Sequence, residues 1–251
     1  MTTMTLTVTR IADGFWYWRA THPDCGPAGW PNGTGAVVGS VFVEDAGGIT
    51  LIDPQVPVDA ANRERFWMAL DRDVARHPEG GLAILLTCPW HERSASDLLA
   101  RYRDRTRMTI WAPLGSALYA DVHVTNPFLD GRTLPGGVIP YTLADPGGKD
   151  NDETVYVIPA HGAVVFGDAV IGRNAGTEAP GLASPSVESV VGDSGIPHAV
   201  IHEWQRTTLR PTLERILATQ TPTIAIPTHG EPVLADASAS LAVLIASLPT
   251  G

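Results

Sequence analysis

Apolar positions recur every second residue through much of the chain and every third or fourth residue in a few windows, which predicts strands interleaved with helices. TLTVTR alternates and predicts a strand, and GFWYWRA predicts its antiparallel partner across IADG. AVVGSVFVED and ITLIDP predict a hairpin around AGG, where Gly47 and Gly48 offer the positive φ of a tight turn. The period changes over residues 59 to 76, where Phe66, Leu70 and Val74 stand at i, i+4 and i+8 on one helix face. LAILLT is an unbroken apolar run of strand length, as expected of a strand covered on both faces. Ser94 and Asp97 resemble a capping box opening a helix that lines up Ala95, Leu98, Leu99 and Tyr102. MTIWAP predicts a further short strand.

The second half repeats the style. GGVIPYTLA, ETVYVIPA and AVVFGDAV predict strands with turns between them, one of which holds His161 at the surface. Residues 172 to 197 are rich in Gly, Pro, Ala and Ser without periodicity, and so long a loop suggests a functional lid or a disordered segment. A helix begins near His198, breaks at Pro211 and restarts with Leu213, Ile216 and Leu217. TPTIAIPTHGEP predicts strand then loop, and a last helix from about Asp236 buries Leu241, Leu244, Ile245 and Leu248. The order of elements predicts an α/β or α+β sandwich of two similar halves, each a sheet with helices outside.

Composition narrows this picture. The 251 residues are 44% hydrophobic, enough to bury a core as one domain spanning residues 1–251. The net charge of -10, with no basic run, argues against nucleic-acid binding. Two cysteines, Cys25 and Cys88, make no disulfide framework. Neither a secretory signal nor an apolar run of membrane-spanning length is visible, so a cytoplasmic protein without membrane association is expected.

The chemistry gathers at strand ends. Asp53 in LIDP, residues 88 to 93 in TCPWHER, Asp168 in FGDAV and His229 in PTHGEP each follow an apolar strand. Loops at the carboxyl ends of strands are where α/β sheets place ligands.

GITLIDP, AILLTCPWHERSA, PGGKDNDETVYVIP, AVVFGDAV and IPTHGEPV, in that order over residues 36 to 233, resemble the metallo-β-lactamase fold superfamily. The resemblance implies an αββα sandwich. It also implies a centre of one or two zinc ions, sometimes iron or manganese, in enzymes such as β-lactamases, glyoxalase II, lactonases, arylsulfatases and nucleases. The family motif T-H-x-H-x-D-H laid on TCPWHER puts Cys88 and Trp90 at its first two His positions, Glu92 at its Asp and Arg93 at its last His. The His of the third motif falls on Gly148, the bridging Asp on Asp168 and the last His on His229. A di-zinc centre is therefore not expected, and the cofactor is either none or a single divalent metal, zinc foremost.

The residues carry these expectations. A mononuclear site would use Glu92, Asp168 and His229. Arg93, which has no lone pair, would stand in for the second metal's charge by pairing with Asp168, or would steady an anionic substrate or oxyanion. In a metal-free version His229 or His91 would act as general base with Asp168 orienting it. His91 is expected to point away from the ligand positions. Trp90 forms a pocket wall, Cys88 is a small buried hydrophobe or a thiolate, and Asp53 supports the loop. A metal on His22, Cys25 and His229 is a further arrangement, and Trp16, Trp18, Trp30 and Trp67 read as core and loop anchors. Two functions follow: a hydrolase-like enzyme for a small ester, lactone, thioester or amide, or a non-catalytic, metal-free relative whose pocket binds a small ligand or mediates assembly.

Overall fold

A computed structural model describes residues 6–24, 36–114, 122–148, 151–173, 181–185 and 195–250. Strands β1 (Thr7–Ala12), β2 (Phe15–Thr21), β3 (Val37–Asp45), β4 (Gly48–Ile52), β5 (Gly81–Leu85), β6 (Arg107–Pro113) and β7 (Asn126–Phe128) lie in that order in one seven-stranded sheet. The first four are antiparallel neighbours and β4 to β7 run parallel. A four-stranded sheet runs β13 (Ile224–Pro227), β10 (Ala163–Phe166), β9 (Glu153–Ile158), β8 (Ile139–Leu143), with β10 and β13 parallel. β11 (Ile171–Gly172) and β12 (Leu182–Ala183) pair as a small ribbon inside the Gly/Pro-rich stretch. Most of that stretch, with Cys25 and Trp30, lies outside the described residues.

Three apolar layers hold the sandwich. On β5, Leu82 and Ile84, with Leu86 just beyond the strand, face out against Leu70 of α1 (Ala60–Ala75) and Leu98 and Tyr102 of α2 (Ala95–Tyr102). Ala83 and Leu85 of the same strand face in, against Tyr156, Val165 and Ile226 of the second sheet. The strand is apolar on both faces because both faces are covered. The outer face of the second sheet packs on α4 (Arg210–Thr219) and α5 (Ala237–Ser247) through Leu213, Ile216, Leu241, Leu244 and Ile245. The result is an αββα arrangement.

Local sequence explains most element ends. Asp59 caps α1, its carboxylate accepting from Asn62 N at 2.9 Å. Gly48 starts β4 at φ +128, where a Cβ would meet the Gly81 backbone at 2.3 Å.

Three expectations are corrected. Ser94 precedes α2 but makes no capping bond, because its hydroxyl accepts from Val56 N at 2.9 Å and so ties the loop to the end of β4. Pro211 does not break its helix. α3 (His198–Trp204) continues into α4 through a π-turn at Gln205–Leu209, whose wider winding accommodates a residue with no N–H. His161 is half-buried rather than on the surface, its ring stacked on Phe15 at 4.5 Å.

No helix among the described residues is long and apolar enough to cross a membrane.

Candidate functional site

Parallel pairing sets the site. β4 runs parallel to β5 in one sheet and β10 parallel to β13 in the other, so four strands deliver Asp53, Cys88, Asp168 and His229 just beyond their carboxyl ends. Hydrogen bonds lock the two sheets at this edge. Thr154 N donates to Thr87 O at 2.6 Å, Gly39 N to Thr228 O at 2.7 Å, and Tyr156 Oη to Leu86 O at 2.7 Å. Gly167 keeps the seam closed, since a Cβ there would lie 2.8 Å from Thr87 Oγ1 and 2.9 Å from Glu153 Oε1.

The loop after β5 turns as a short 3-10 helix, Pro89–His91, with His91 N bonded to Cys88 O at 3.1 Å. A 3-10 turn has three residues per turn, so positions i and i+3 eclipse. Cys88 and His91 therefore fall on one face. This corrects the expectation that His91 points away. Cys88 Sγ, a ring nitrogen of His91 and a carboxylate oxygen of Asp168 lie within 4.8 Å of one another, a group that does not include the expected ligands Glu92 and His229. His229 stays close, with Nε2 3.2 Å from Asp168 Oδ1.

Asp53 braces the group from behind. It is 1% exposed, and its Oδ1 accepts from Thr87 N at 2.9 Å while Oδ2 accepts from Thr87 Oγ1 at 2.5 Å and from His91 Nδ1 at 2.9 Å. His91 Nε2 then faces Asp168 Oδ1 at 3.3 Å. Burial and the Arg93 charge push the His91 imidazolium down, but Asp168 and Asp53 outweigh them and raise it to about 9. Burial pushes the Asp168 carboxyl up, yet His91 and His229 hold it well below the usual carboxylate range. Asp53 is held low in the same way, chiefly by His91 against its burial. Burial raises the Cys88 thiol well above its ordinary value, so without a cation beside it the sulfur stays protonated and inert.

Trp90 is 40% exposed and donates from Nε1 to Asp168 Oδ2 at 2.5 Å. Arg93 does not pair with Asp168 as expected. Its Nη1 donates to Gly39 O at 2.8 Å and Asp53 O at 2.9 Å, while the Asp168 oxygens are occupied by Trp90 and flanked by the two histidines. Asp53 and Arg93 both hold left-handed backbone, φ 47 and 42, a conformation that costs a non-glycine residue about 1 kcal/mol and persists where the surroundings enforce it.

Sequence reasoning missed Glu153. It opens β9 in the run ETVYVI, is 8% exposed, and accepts from Ala169 N at 2.9 and 3.0 Å, which holds the Asp168 loop. Burial, then the Asp168 charge, pushes its carboxyl up to about 8. The signal was the last acid of the run Asp150, Asn151, Asp152, Glu153, the one that falls inside the strand ETVYVI.

Among the described residues, Cys88, His91 and Asp168 are grouped closely enough to hold a cation. Thiolate, imidazole and carboxylate are the donors of a zinc site. His91 already gives its second ring N–H to a carboxylate, the arrangement that fixes a metal-binding imidazole. Asp168 Oδ1 is buried, and its contacts are the ion-pair approaches of His229 Nε2 at 3.2 Å and His91 Nε2 at 3.3 Å.

No family model and no curated protein matches the sequence. Solved structures do. The chain is similar to the DIM-1 metallo-β-lactamase, with a TM-score of 0.58, 15% identity, and coverage of 96% of this chain and 95% of that one. It is similar to a metallo-β-lactamase from Pontibacter korlensis, with a TM-score of 0.59, 16% identity, and coverage of 97% and 100%. It is also similar to the metallo-β-lactamase FIM-1 from Pseudomonas aeruginosa in its mono-zinc form, with a TM-score of 0.57, 17% identity, and coverage of 98% of both chains. Likeness along nearly the whole chain, with the layer order and strand-end loops described above, makes this the metallo-β-lactamase fold.

Proposed function

We propose that the protein is a hydrolase of small carbonyl substrates, an ester, lactone, thioester or amide, working with one divalent metal held by Cys88, His91 and Asp168. The observation that carries this reading is the close approach of those three donors, with Asp53 fixing the ring of His91 from behind. FIM-1, one of the structural neighbours, is crystallised in a mono-zinc form, which is consistent with this fold taking a single ion. A bound zinc would lower the pKa of its water and polarise a carbonyl.

The chain's own groups have separate tasks. Asp53 holds the Nδ1 proton of His91 and so leaves Nε2 to face the centre. Trp90 fixes one oxygen of Asp168 and forms an apolar lip against which a substrate can stack. His229 Nε2, beside Asp168 Oδ1, is placed to take a proton from water or return one to a leaving group. Glu153 and its bond to Ala169 N keep the Asp168 loop in register.

A second reading has its own support. His91 as an imidazolium between Asp53 and Asp168 places a positive charge at the centre without a metal, as a metal-free ligand-binding relative would require.

Elemental analysis of protein purified from zinc-, iron- and manganese-supplemented media separates the two. The first reading expects about one metal per chain, lost in Cys88→Ser and Asp168→Asn and retained in Glu92→Gln, together with turnover of a lactone, ester or thioester panel. Metal-free wild type in every medium, or metal retained in both ligand variants, sinks it.

A further inference from the structure

His91 and His229 flank Asp168, yet they are held in different ways. Asp53 braces the His91 ring at Nδ1, 2.9 Å away. His229 has no such carboxylate. It is 7% exposed, and its Nδ1 is a buried atom without a hydrogen-bond partner among the described residues. Backbone holds it instead. Gly172 N donates to His229 O at 2.8 Å. Thr228, the residue before it, donates from N to Phe166 O at 3.0 Å and accepts at O from Gly39 N at 2.7 Å.

Two glycines make the first of these bonds possible. A Cβ on Gly172 would fall on Glu231 O and lie 2.6 Å from Glu231 N. A Cβ on Gly230, which holds φ +83, would fall on Gly172 O and lie 2.6 Å from its carbonyl carbon. The two segments therefore meet backbone to backbone, at a separation no side chain permits. The Gly172 side of this seam is well anchored. Gly172 pairs with Leu182 across the β11–β12 ribbon. Leu182 and Val170, 2% and 0% exposed, are buried in the apolar layer with Leu241 and Leu244 of α5. Glu153 holds Ala169 N in the same run, DAVIG, which begins at Asp168 and ends at Gly172. One short segment thus carries Asp168 at its start and the seam that pins His229 at its end.

We infer that Gly172 and Gly230 are positioning residues, whose seam sets His229 Nε2 at 3.2 Å from Asp168 Oδ1 in place of the carboxylate that His91 has. As a part of catalysis this rests on the hydrolase reading, in which His229 moves the proton; as geometry it does not. A Cβ at either glycine forces the segments apart. The anchored ribbon stays and the His229 side gives, while Cys88 and His91 keep their places on the 3-10 turn of the other sheet.

The test is proton–carbon NMR of the histidine Cε1–Hε1 groups in the protein as purified, with metal content measured on each sample. The two signals are identified by their absence in His229→Gln and His91→Gln. Gly172→Ala and Gly230→Ala should move the His229 signal and leave the His91 signal and the metal content as in wild type. They should lower kcat on the order of 10²-fold with KM little changed. Gly131→Ala is the control for strain alone, because Gly131 holds φ +83 with nothing within 4 Å of its Cβ, and it should move neither signal. Where an alanine in the seam prevents folding, Leu182→Val loosens the ribbon's anchor without placing an atom in the seam, and should shift or broaden the His229 signal alone. An unmoved His229 signal in the folded variants, or a His91 signal and metal content that change along with it, overturns the inference. A wild type that turns over no substrate, with the selective His229 shift still present, would refute the hydrolase reading and leave the seam standing.

Discussion

Two ionic networks in this protein are built from the same residue types and end in opposite states. On the outer helices, Asp71 of α1 accepts from Arg101 Nη2 at 2.6 Å, from Tyr102 Oη at 2.8 Å and from Arg105 Nη1 at 3.0 Å. Arg101 also lies 4.8 Å over the ring of Trp67. Each charge there has met its partner, and solvent reaches the rest. At the sheet ends, Asp53, His91, Asp168, His229 and Arg93 are packed together, yet His229 Nδ1 and two nitrogens of Arg93 remain without hydrogen bonds among the described residues. A folded chain avoids buried unmet polar atoms unless something else meets them. The outer network is finished by the chain itself. The inner one is arranged for something the chain does not supply.

The sharpest way to break this comparison is to remove one inner donor. Asp168→Asn should lower kcat on the order of 10³-fold with the fold intact, measured by steady-state kinetics beside circular dichroism. Normal turnover in that variant would put the inner network on a par with the outer one.

Asp53→Asn should act more gently. It leaves the three donors in place and takes away the carboxylate that fixes the His91 ring, so metal affinity should fall by roughly 10- to 100-fold. Competition with a chelator of known affinity reads this directly. An unchanged affinity would mean that Asp53 only supports the loop.

A pH series on metal-free protein separates the networks next. His91 has its folded pKa raised from 6.5 to about 9, so it contributes stability that is complete below pH 6.5 and is lost as pH rises through about 9. Glu153 is raised from 4.5 to about 8 and holds its proton in the folded state where the unfolded chain has released it, so stability also falls between pH 4.5 and 8. Urea unfolding should show the midpoint declining from pH 4.5 to 9, by a few kcal/mol in all as an order of magnitude. Glu153→Gln should flatten the lower part of that decline and leave the upper part. A profile that rises across this range would contradict the His91 assignment.

The smallest effect belongs to the outer network. Asp71→Asn should cost about 1 kcal/mol or less, shrink further in high salt, and leave metal content and turnover untouched. A larger loss at high salt would show that Tyr102, buried beneath α1, depends on that carboxylate more than a surface pair allows.

The strands were legible because apolar residues recur along them. LAILLT is unbroken because helices cover one face and the second sheet the other; β2 and β4 are likewise buried on both faces, whereas Val8 of TLTVTR is 53% exposed. The helix over residues 59 to 76 was legible from Phe66, Leu70 and Val74, while the Asp59 cap was found only in the structure. Asp53, Asp168, Trp90 and Cys88 were legible as neighbours because they sit where strands end. His91 was legible as a candidate base, but the way it points was not. An alternating register sends its side chain away, and only the 3-10 turn after Cys88 brings it round. The Ser94 hydroxyl and the Arg93 guanidinium were misassigned for a related reason: both are claimed by backbone groups about 38 to 54 residues away in sequence, which local pattern does not display.

The sequence by itself determined the order of strands and helices, which faces are apolar, and which strand ends carry ionisable groups, because these depend on the spacing of side chains along one element. Tertiary structure alone decided which of those groups meet. Two sheets packed face to face set Asp168 against His91 and His229, buried Glu153 beneath them, and left one edge of Arg93 facing no partner. Those outcomes follow from distances between elements far apart in the chain, and it is at those distances that charge, burial and hydrogen bonding set the chemistry of the site.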